Sequence, residues 1–484
     1  MTTNDMVRTR PPLPLLVLVL LLFLGGFLRF HGLGRESLWN DELDSRRVSG
    51  APSARQVIAE TLAEDGHPPT HNLLLHAIER SFGDSEEALR FPSAVCGVLS
   101  IAAMFLLGRE LYGQTEGLLG AGLLAVLWCP IYYSQEARPY SALLLMVLLA
   151  STAWVALLKI WTEQKSTPPF LIAGYLLAAL GCCYLHHFGA GLIFFQGFVA
   201  LLLGRPRAVV PLYAALLAFY APGIVYLLRQ RRHSGSWAWI EHPGFRSVPE
   251  YLKFLFNYSW ALAAGALMLG LVAFLRFRRG SPVERRLGLL CQLSPSALLG
   301  LWITAPFAGA IALSYLSFPL LTNRNLLICL PAVYLLLARS ITLLARGAGL
   351  ALLSGLLLAG LIAHLLFGMH FYTRPDKEQF REAVAEVLSH PEAPGTVVLG
   401  RAHHREYFDY YFARLGSPRR IDLLTGADAD VAEAGSFLDT RKPAHVWLIS
   451  GHLTPGERFL SFLRERYREA EHRTLVGADA RLFE

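Results

Sequence analysis

Two adjacent carboxylates follow the first apolar run that is long enough to cross a membrane. Asp41 and Glu42 come after Trp39-Asn40, and the apolar run covers residues 13–28. A carboxylate near hydrocarbon is costly to keep ionised, so it is usually retained for chemistry or recognition. Partial desolvation raises its affinity for a proton, which suits Asp41 as a general base, with Glu42 orienting it or binding a cation. The alternatives are a helix cap at Asn40 or Asp41 and a hydrated loop.

Further charged residues occur in loops that an alternating topology places on the same side. Glu136 and Arg138 lie in the short segment Gln135–Tyr140, and Arg324 precedes a later apolar run. The planar guanidinium of arginine suits a phosphate better than lysine does. We therefore predict phosphate binding by this group. The alternatives are a local Glu136–Arg138 ion pair and an Arg324 side chain that only reaches to the membrane interface.

Histidines also lie in these loops. His67 and His71 are four residues apart, but Pro68-Pro69 between them breaks the continuous helix that a zinc pair would need. A divalent cation held by Asp41 or Glu42 together with an imidazole stays an alternative. His187 follows His186 after an apolar run, and it is predicted either to contact substrate or to lie at the interface.

The composition is that of a polytopic membrane protein. Hydrophobic residues make up 54% and charged residues 17% of the 484 residues, which is too apolar for an ordinary soluble enzyme. The six cysteines lie in apolar runs, so neither disulfides nor thiolate zinc sites are predicted. About eleven transmembrane helices are predicted, near residues 13–28, 91–107, 117–133, 141–158, 169–185, 188–203, 208–228, 257–275, 288–317, 325–338 and 348–368.

Charge asymmetry between the loops predicts the orientation. With a cytoplasmic N-terminus, the inner loops carry most of the lysines and arginines, as the positive-inside rule requires. Residues 1–374 then form a membrane domain whose first outer loop, 30–90, contains two interfacial helices. Residues 375–484 are far more polar, and they predict a soluble extracytoplasmic α/β domain. The pattern there indicates helices at 376–389, 404–414 and 456–470 and strands at 396–399, 445–450 and 480–483.

Four segments together resemble the GT-C superfamily of membrane glycosyltransferases, in particular bacterial relatives of protein O-mannosyltransferases and lipid A aminoarabinose transferases. They occur in that family's order over roughly the first 340 residues. The segments are Leu38–Glu42, His67–Thr70 leading to Phe82–Glu86 and Leu89–Ser93, Tyr133–Tyr140, and Arg324–Leu327 before Pro331. Two departures are Asn325, where the family commonly has tyrosine, and Thr70-His71, where it often has Leu-Tyr.

The resemblance implies an inverting transfer of a sugar from a polyprenyl-phosphate carrier to a lipid, glycan or protein acceptor. It implies Asp41 as the base, Glu42, Glu136 and Arg138 at the family's acidic and basic loop positions, and Arg324 near the lipid phosphate. The expected location is the outer face of a bacterial cytoplasmic membrane, and no nucleic acid partner is expected. The alternative function is a lipid or glycan transporter or flippase, but such proteins place coupling charges near the bilayer midplane and often have repeated halves.

Overall fold

The structure is a computed structural model that describes residues 13–230, 240–276, 294–390, 394–426 and 431–484. Helices dominate up to residue 368, and a small sheet lies near the C-terminus. The long helices and bent pairs coincide with the predicted apolar runs. Segment 30–90, which was predicted to be an outer loop with two helices, contains three: α2 (Asn40–Ser49), α3 (Ala54–Glu64) and α4 (Thr70–Phe82). Cys291 lies outside the described residues.

The membrane helices are identified by length and composition. Seven described helices qualify, and nine do so if each of two bent pairs forms one span. The qualifying helices are α1 (Leu13–Phe30), α5 (Glu86–Leu111), Tyr140–Thr162, Pro206–Arg229, Pro295–Leu316, Asn325–Leu344 and Gly347–Gly368. The bent pairs are Gln114–Val126 with Trp128–Ser134, and Ser247–Leu255 with Trp260–Leu275. Two shorter apolar helices, Pro169–Leu185 and His187–Leu202, occupy the other predicted runs. A mostly helical, multi-pass membrane fold is therefore confirmed.

The chain divides into two compact units. The first contains residues 1–31, 58–73 and 91–369, and the second contains residues 32–57, 74–90 and 370–484. Segment 30–90 therefore contributes residues to both units. The predicted division into domains at residue 375 stays a prediction.

The first unit is a bundle of apolar helices with a few buried polar anchors. Arg29, at the end of α1, is fully buried. Its guanidinium donates to the carbonyl oxygens of Leu124 (2.8 Å) and Ala125 (3.1 Å) at the end of Gln114–Val126. The side chain of Gln135 donates to the carbonyl oxygens of Arg29 (3.1 Å) and His31 (2.9 Å). These bonds satisfy carbonyls that a helix end leaves without intrahelical partners, and they fix the turn after Trp128–Ser134.

The second unit is built on a five-stranded mixed sheet with the order β2-β1-β3-β5-β4. Its strands are β1 (Thr396–Arg401), β2 (Leu423–Leu424), β3 (His445–Gly451), β4 (Glu469–Leu475) and β5 (Ala478–Phe483). β1 pairs in parallel with β2 and β3, whereas β5 pairs antiparallel with β3 and β4. The helices of this C-terminal part are Phe380–Ser389, Glu406–Arg414, Val431–Arg441 and Glu457–Arg464. The predicted α/β layer is confirmed.

One predicted helix of this unit is wrong at its C-terminal end, where the structure has a strand. The helix predicted at 456–470 ends at Arg464, and Glu469 already begins β4. The residues of β4 are mostly exposed and largely polar or charged, so they lack the alternating apolar pattern by which a strand is recognised in sequence. The strand forms because it pairs with β5 as an edge strand, which tolerates charged side chains.

Candidate functional site

Asp41 lies in the first turn of α2, in the second unit. The amide of Asn40, the first helical residue, donates to Glu378 Oε2 (2.8 Å). The preceding segment is fixed by Leu38 N–H, which donates to the Tyr411 hydroxyl oxygen (2.6 Å). Asp41 is half-buried, and its Oδ1 accepts a bond of 3.4 Å from Asn40 Nδ2. The N-cap residue of α2 is therefore Trp39 and not Asp41. The distant carboxylate of Glu378 accepts one amide of the helix start, and Glu42 accepts the amide of Trp39 (3.4 Å).

Glu42 is fully buried and held by two cations. Arg90 Nε donates to Glu42 Oε1 (2.8 Å) and Arg90 Nη2 to Glu42 Oε2 (2.6 Å), a bidentate pair. Lys377 Nζ lies 3.3 Å from the same Oε2. Arg90 also donates to the carbonyl oxygens of Leu33 (2.9 Å) and Ser37 (2.9 Å). The carboxylate of Glu42 is therefore committed to structure, and this arrangement fixes the position of its neighbour Asp41.

A second group of ionisable side chains lies in the first unit, in the turn between α3 and α4. His67 Nδ1 lies 2.7 Å from Asp65 Oδ1 and 3.1 Å from Arg138 Nη2. Arg138 is buried, with its Nη2 3.9 Å from Asp65 Oδ1. Burial alone would raise the pKa of Asp65, but His67 and Arg138 outweigh it and hold that pKa well below its usual range. Asp65 is therefore an anion that orients a histidine and an arginine.

His186 joins this second group and has a defined tautomer. It lies between two apolar helices, and its Nδ1 accepts a bond of 3.1 Å from the amide of Phe188 at the start of His187–Leu202. A neutral imidazole whose Nδ1 accepts carries its proton on Nε2. Burial, followed by the positive charges around it, holds the pKa of His186 well below its usual value, so the ring is neutral. Within the described part of the chain, Nε2 of His186 is buried without a hydrogen-bond partner.

The ring of His186 faces two other members of the group. Its centroid lies 4.9 Å from that of His67 and 5.9 Å from that of Tyr140. The Tyr140 hydroxyl lies 3.5 Å from His67 Nε2. The group thus combines a guanidinium, two imidazoles and a phenol around one buried carboxylate, which is a set of hydrogen-bond donors suited to an anionic oxygen.

The remaining predicted site residues of the first unit lie in its loops and helix starts. Glu136 is buried in the turn before Pro139, and Arg324 is half-buried in front of the 3₁₀ helix Asn325–Cys329. The charge of Arg324 acts on His186. His187 is half-buried as the first residue of its helix. His71 is buried in the first turn of α4, which begins only after Pro69, so the predicted break between His67 and His71 is confirmed.

The structure therefore separates the predicted site residues into two groups. Asp41 and Glu42 belong to the second unit, whereas His67, His71, Glu136, Arg138, His187 and Arg324 belong to the first. Sequence reasoning did not select Asp65, Arg90 or Lys377, and it gave His186 less weight than His187. Asp65 lies two residues before His67 and could have been found from that spacing. No local pattern marks Arg90 or Lys377 as partners of Glu42.

The profile of the dolichyl-phosphate-mannose-protein mannosyltransferase family matches residues 66–226. This match includes His67, Arg138 and His186 but not Asp41. No curated protein matches the sequence.

Solved structures match over nearly the whole chain. The chain resembles ArnT from Cupriavidus metallidurans bound to undecaprenyl phosphate, with a TM-score of 0.55, 11% identity, and 96% of this chain and 97% of that chain covered. It also resembles the Archaeoglobus fulgidus oligosaccharyltransferase in complex with zinc and sulfate, with a TM-score of 0.51, 13% identity, and 96% and 72% covered. The fold is that of the GT-C membrane glycosyltransferases. The predicted resemblance is thereby confirmed.

The alternative of a divalent cation requires a carboxylate of Asp41 or Glu42 with an oxygen available to the ion. Both oxygens of Glu42 are engaged by Arg90, and one of them also by Lys377. His71 is buried in α4, and burial lowers its pKa to about 4 although the backbone of Ala137 opposes this shift. Glu42 therefore does not fit a metal ligand set, whereas the low pKa of His71 only keeps its imidazole neutral, the form in which histidine can bind a metal. No step of the chemistry below passes through a metal.

The ion pair of Glu42 yields a stability prediction. Arg90→Met leaves the buried Glu42 carboxylate without its bidentate partner, and we expect the free energy of unfolding to fall by about 3–5 kcal/mol. Arg47→Met is the matched control, because Arg47 pairs with Asp44 at 2.9 Å in a more exposed place, and about 1 kcal/mol or less is expected there. Thermal unfolding in detergent measures both. Equal stability of the two variants would show that the buried pair contributes little.

The low pKa of His71 yields a pH prediction. Its value is about 4 in the folded chain against an ordinary 6.5, so the unfolded chain binds the proton more readily. The contribution of neutral His71 to stability is present above pH 6.5 and is lost as the pH falls towards 4, in total about 3 kcal/mol. His71→Gln should therefore show a smaller loss of melting temperature between pH 7 and pH 5 than the wild type. An identical loss in both proteins would contradict the assignment.

Proposed function

We propose that this protein is an inverting glycosyltransferase that moves a hexose or pentose from a polyprenyl-phosphate carrier to a lipid, glycan or protein acceptor. The observation that carries the proposal is the group of buried Arg138, buried His186 and half-buried His67 in the loops of a GT-C fold. Its donors suit a phosphate that enters from the membrane. ArnT, which shares this fold, is described as bound to undecaprenyl phosphate.

The proposed chemistry is a single displacement. The acceptor hydroxyl oxygen attacks the anomeric carbon while the bond from that carbon to the phosphate oxygen breaks, and the phosphate oxygen keeps the electron pair. Asp41 takes the hydroxyl proton as general base. Because attack and departure occur on opposite faces of the same carbon, the configuration inverts. The product carrier leaves as a polyprenyl phosphate.

The leaving phosphate defines the role of the first-unit group. Arg138 supplies a permanent positive charge, and the Nε2–H of His186 supplies a neutral donor that burial prevents from being solvated. Arg324 adds a second positive charge near His186. Donors that are already oriented before the reaction stabilise charge that develops in the transition state without a reorganisation cost. Asp65 keeps His67 and Arg138 in place.

Glu42 and Glu136 have supporting roles in this proposal. Glu42 positions Asp41 through its pairing with Arg90 and Lys377, and Glu136 is a buried acid in the turn that presents Arg138. His187 begins the helix that His186 caps, and we assign it to substrate contact. We place the reaction at the outer face of a bacterial cytoplasmic membrane, with the C-terminal sheet on the same side, on the basis of the loop charges.

Asp41→Asn tests the proposed base. The amide has nearly the same shape but cannot accept the proton, so we expect the transferred product to fall by about 10²–10⁴-fold. Asp44→Asn, which changes another acid of the same helix, is the matched control and should retain the product. The measurement is mass spectrometry of lipids, glycans and envelope proteins from a deletion strain that expresses each variant. Wild-type product levels with Asp41→Asn would refute the base assignment.

His186→Asn tests the proposed phosphate donor. Asparagine can still cap the following helix but cannot place a donor at the position of Nε2. We expect the apparent Kd for undecaprenyl phosphate to rise by about tenfold or more, because a bond to a charged acceptor is lost. Arg324→Ala should weaken the same binding. His364→Asn, in the π-helical turn His364–Gly368, is the control. An unchanged Kd in both site variants would remove this group from the donor site.

A further inference from the structure

The C-terminal part of the second unit supplies both contacts that flank Asp41. Lys377 Nζ approaches Glu42 Oε2 (3.3 Å), and the next residue, Glu378, accepts the amide of Asn40 (2.8 Å). The residues before and after Asp41 are therefore each held by one of two consecutive side chains. Such a pair fixes the backbone on both sides of Asp41 more tightly than a helix start alone would.

The second oxygen of Glu378 has its own partner. Glu378 Oε1 lies 2.6 Å from His452 Nδ1. Because a carboxylate only accepts, the ring nitrogen is the donor in this bond. The order of contacts is therefore His452 to Glu378 to the amide of Asn40. One carboxylate links an imidazole to the first turn of α2.

The backbone at His452 is held in an uncommon conformation. Its φ is 63°, in the left-handed region that residues other than glycine rarely adopt. Its amide donates to the carbonyl oxygen of Gly477 (2.9 Å), which fixes the turn directly after β3. Backbone conformations of this kind cost about 1–3 kcal/mol and occur preferentially at functional sites. The turn presents the imidazole to Glu378.

The charged groups that face His452 favour its protonated form. The hydrogen bond that His452 donates to Glu378 raises the pKa of His452 most, burial opposes it, and the charges of Glu378 and Asp41 raise it further. The ring of His403 lies 5.3 Å away, centroid to centroid. Burial, followed by the charges of His452 and His404, lowers the pKa of His403, with Asp44 and Glu378 opposing. The positive charge of this cluster is therefore centred on His452.

We propose that the Glu378–His452 pair is a positioning device for Asp41, which holds the first turn of α2 and places an imidazolium near the Asp41 carboxylate. The inference rests on the proposed function of Asp41 as base. A nearby positive charge stabilises the ionised carboxylate, which is the form that accepts a proton from an acceptor hydroxyl. Glu378 and His452 are thus positioning residues that act through Asp41.

The first test does not depend on activity. The pH at which His452 in the full-length protein becomes reactive to diethyl pyrocarbonate is measured by peptide mass spectrometry. We expect this midpoint to fall in Glu378→Gln and in Asp41→Asn relative to the wild type. His390, which pairs with Glu471 at 3.0 Å, is the internal control and should keep its midpoint. An unchanged His452 midpoint in both variants would overturn the inference, whether or not the protein transfers a sugar.

The second test uses the pH profile of product formation. In His452→Gln the acidic limb should move to higher pH, with kcat lowered about tenfold at pH 5.5 and less than about threefold at pH 8. Glu378→Gln keeps an acceptor for the Asn40 amide and should retain the wild-type melting temperature, whereas Glu378→Ala should not. His390→Gln is the control for the profile. A uniform loss of kcat at all pH values would show a structural effect only and would overturn the inference. Transfer by Asp41→Asn would instead refute the proposed function.

Discussion

The buried carboxylate of Glu42 imposes the main constraint on the second unit. An ionised group with no exposed surface requires counter-charges in fixed positions, because its desolvation costs several kcal/mol. Arg90, in the first turns of α5, and Lys377, before the helix Phe380–Ser389, provide them. Arg90 also fixes the chain before α2, because it donates to the backbone carbonyl oxygens of Leu33 and Ser37. Sequence segments that are far apart are thereby required to meet, and Asp41 is held next to the point where they do.

The first unit also holds charged side chains that need counter-charges, but it uses different residues. Asp65 pairs with half-buried His67 and lies close to buried Arg138, and its negative charge balances the guanidinium in a place that water reaches poorly. His186 is kept neutral there, since protonation would add a further positive charge near those of Arg138 and Arg324. Its role as helix cap also decides which nitrogen carries the proton. Local helix chemistry thus determines the direction of a buried donor.

The proposed function assigns to each of the two groups one chemical demand of glycosyl transfer from a lipid phosphate. A base must accept a proton from the acceptor, and a set of donors must stabilise the departing phosphate. The C-terminal part of the second unit then has a proposed role that its amino-acid composition did not indicate. Lys377 and Glu378, in front of the helix Phe380–Ser389, and His452, directly after β3, lie around Asp41. The polar C-terminal residues thereby become part of the proposed catalytic machinery.

The sequence by itself determined the membrane character, the positions of the apolar helices and the type of the C-terminal layer. These properties depend on local composition and periodicity, which the chain displays directly. It also brought attention to Asp41, Arg138 and Arg324, because charged residues at the ends of apolar runs are costly and therefore informative. The edge strand β4 was not predicted, because its mostly polar residues do not alternate with apolar ones.

Only the tertiary structure decided which groups form hydrogen bonds and ion pairs with one another. Lys377 is more than 330 residues from Glu42, and the amide of Asn40 at the start of α2 donates to the distant Glu378. The tautomer of His186 depends on where the next helix begins, and the charge on His452 depends on a carboxylate 74 residues away. Electrostatic partners are chosen by distance in space, and desolvation depends on the surrounding fold. Neither the distance in space nor the desolvation follows from the spacing of residues in the sequence. Candidate site residues could therefore be selected from the sequence, but their roles could not.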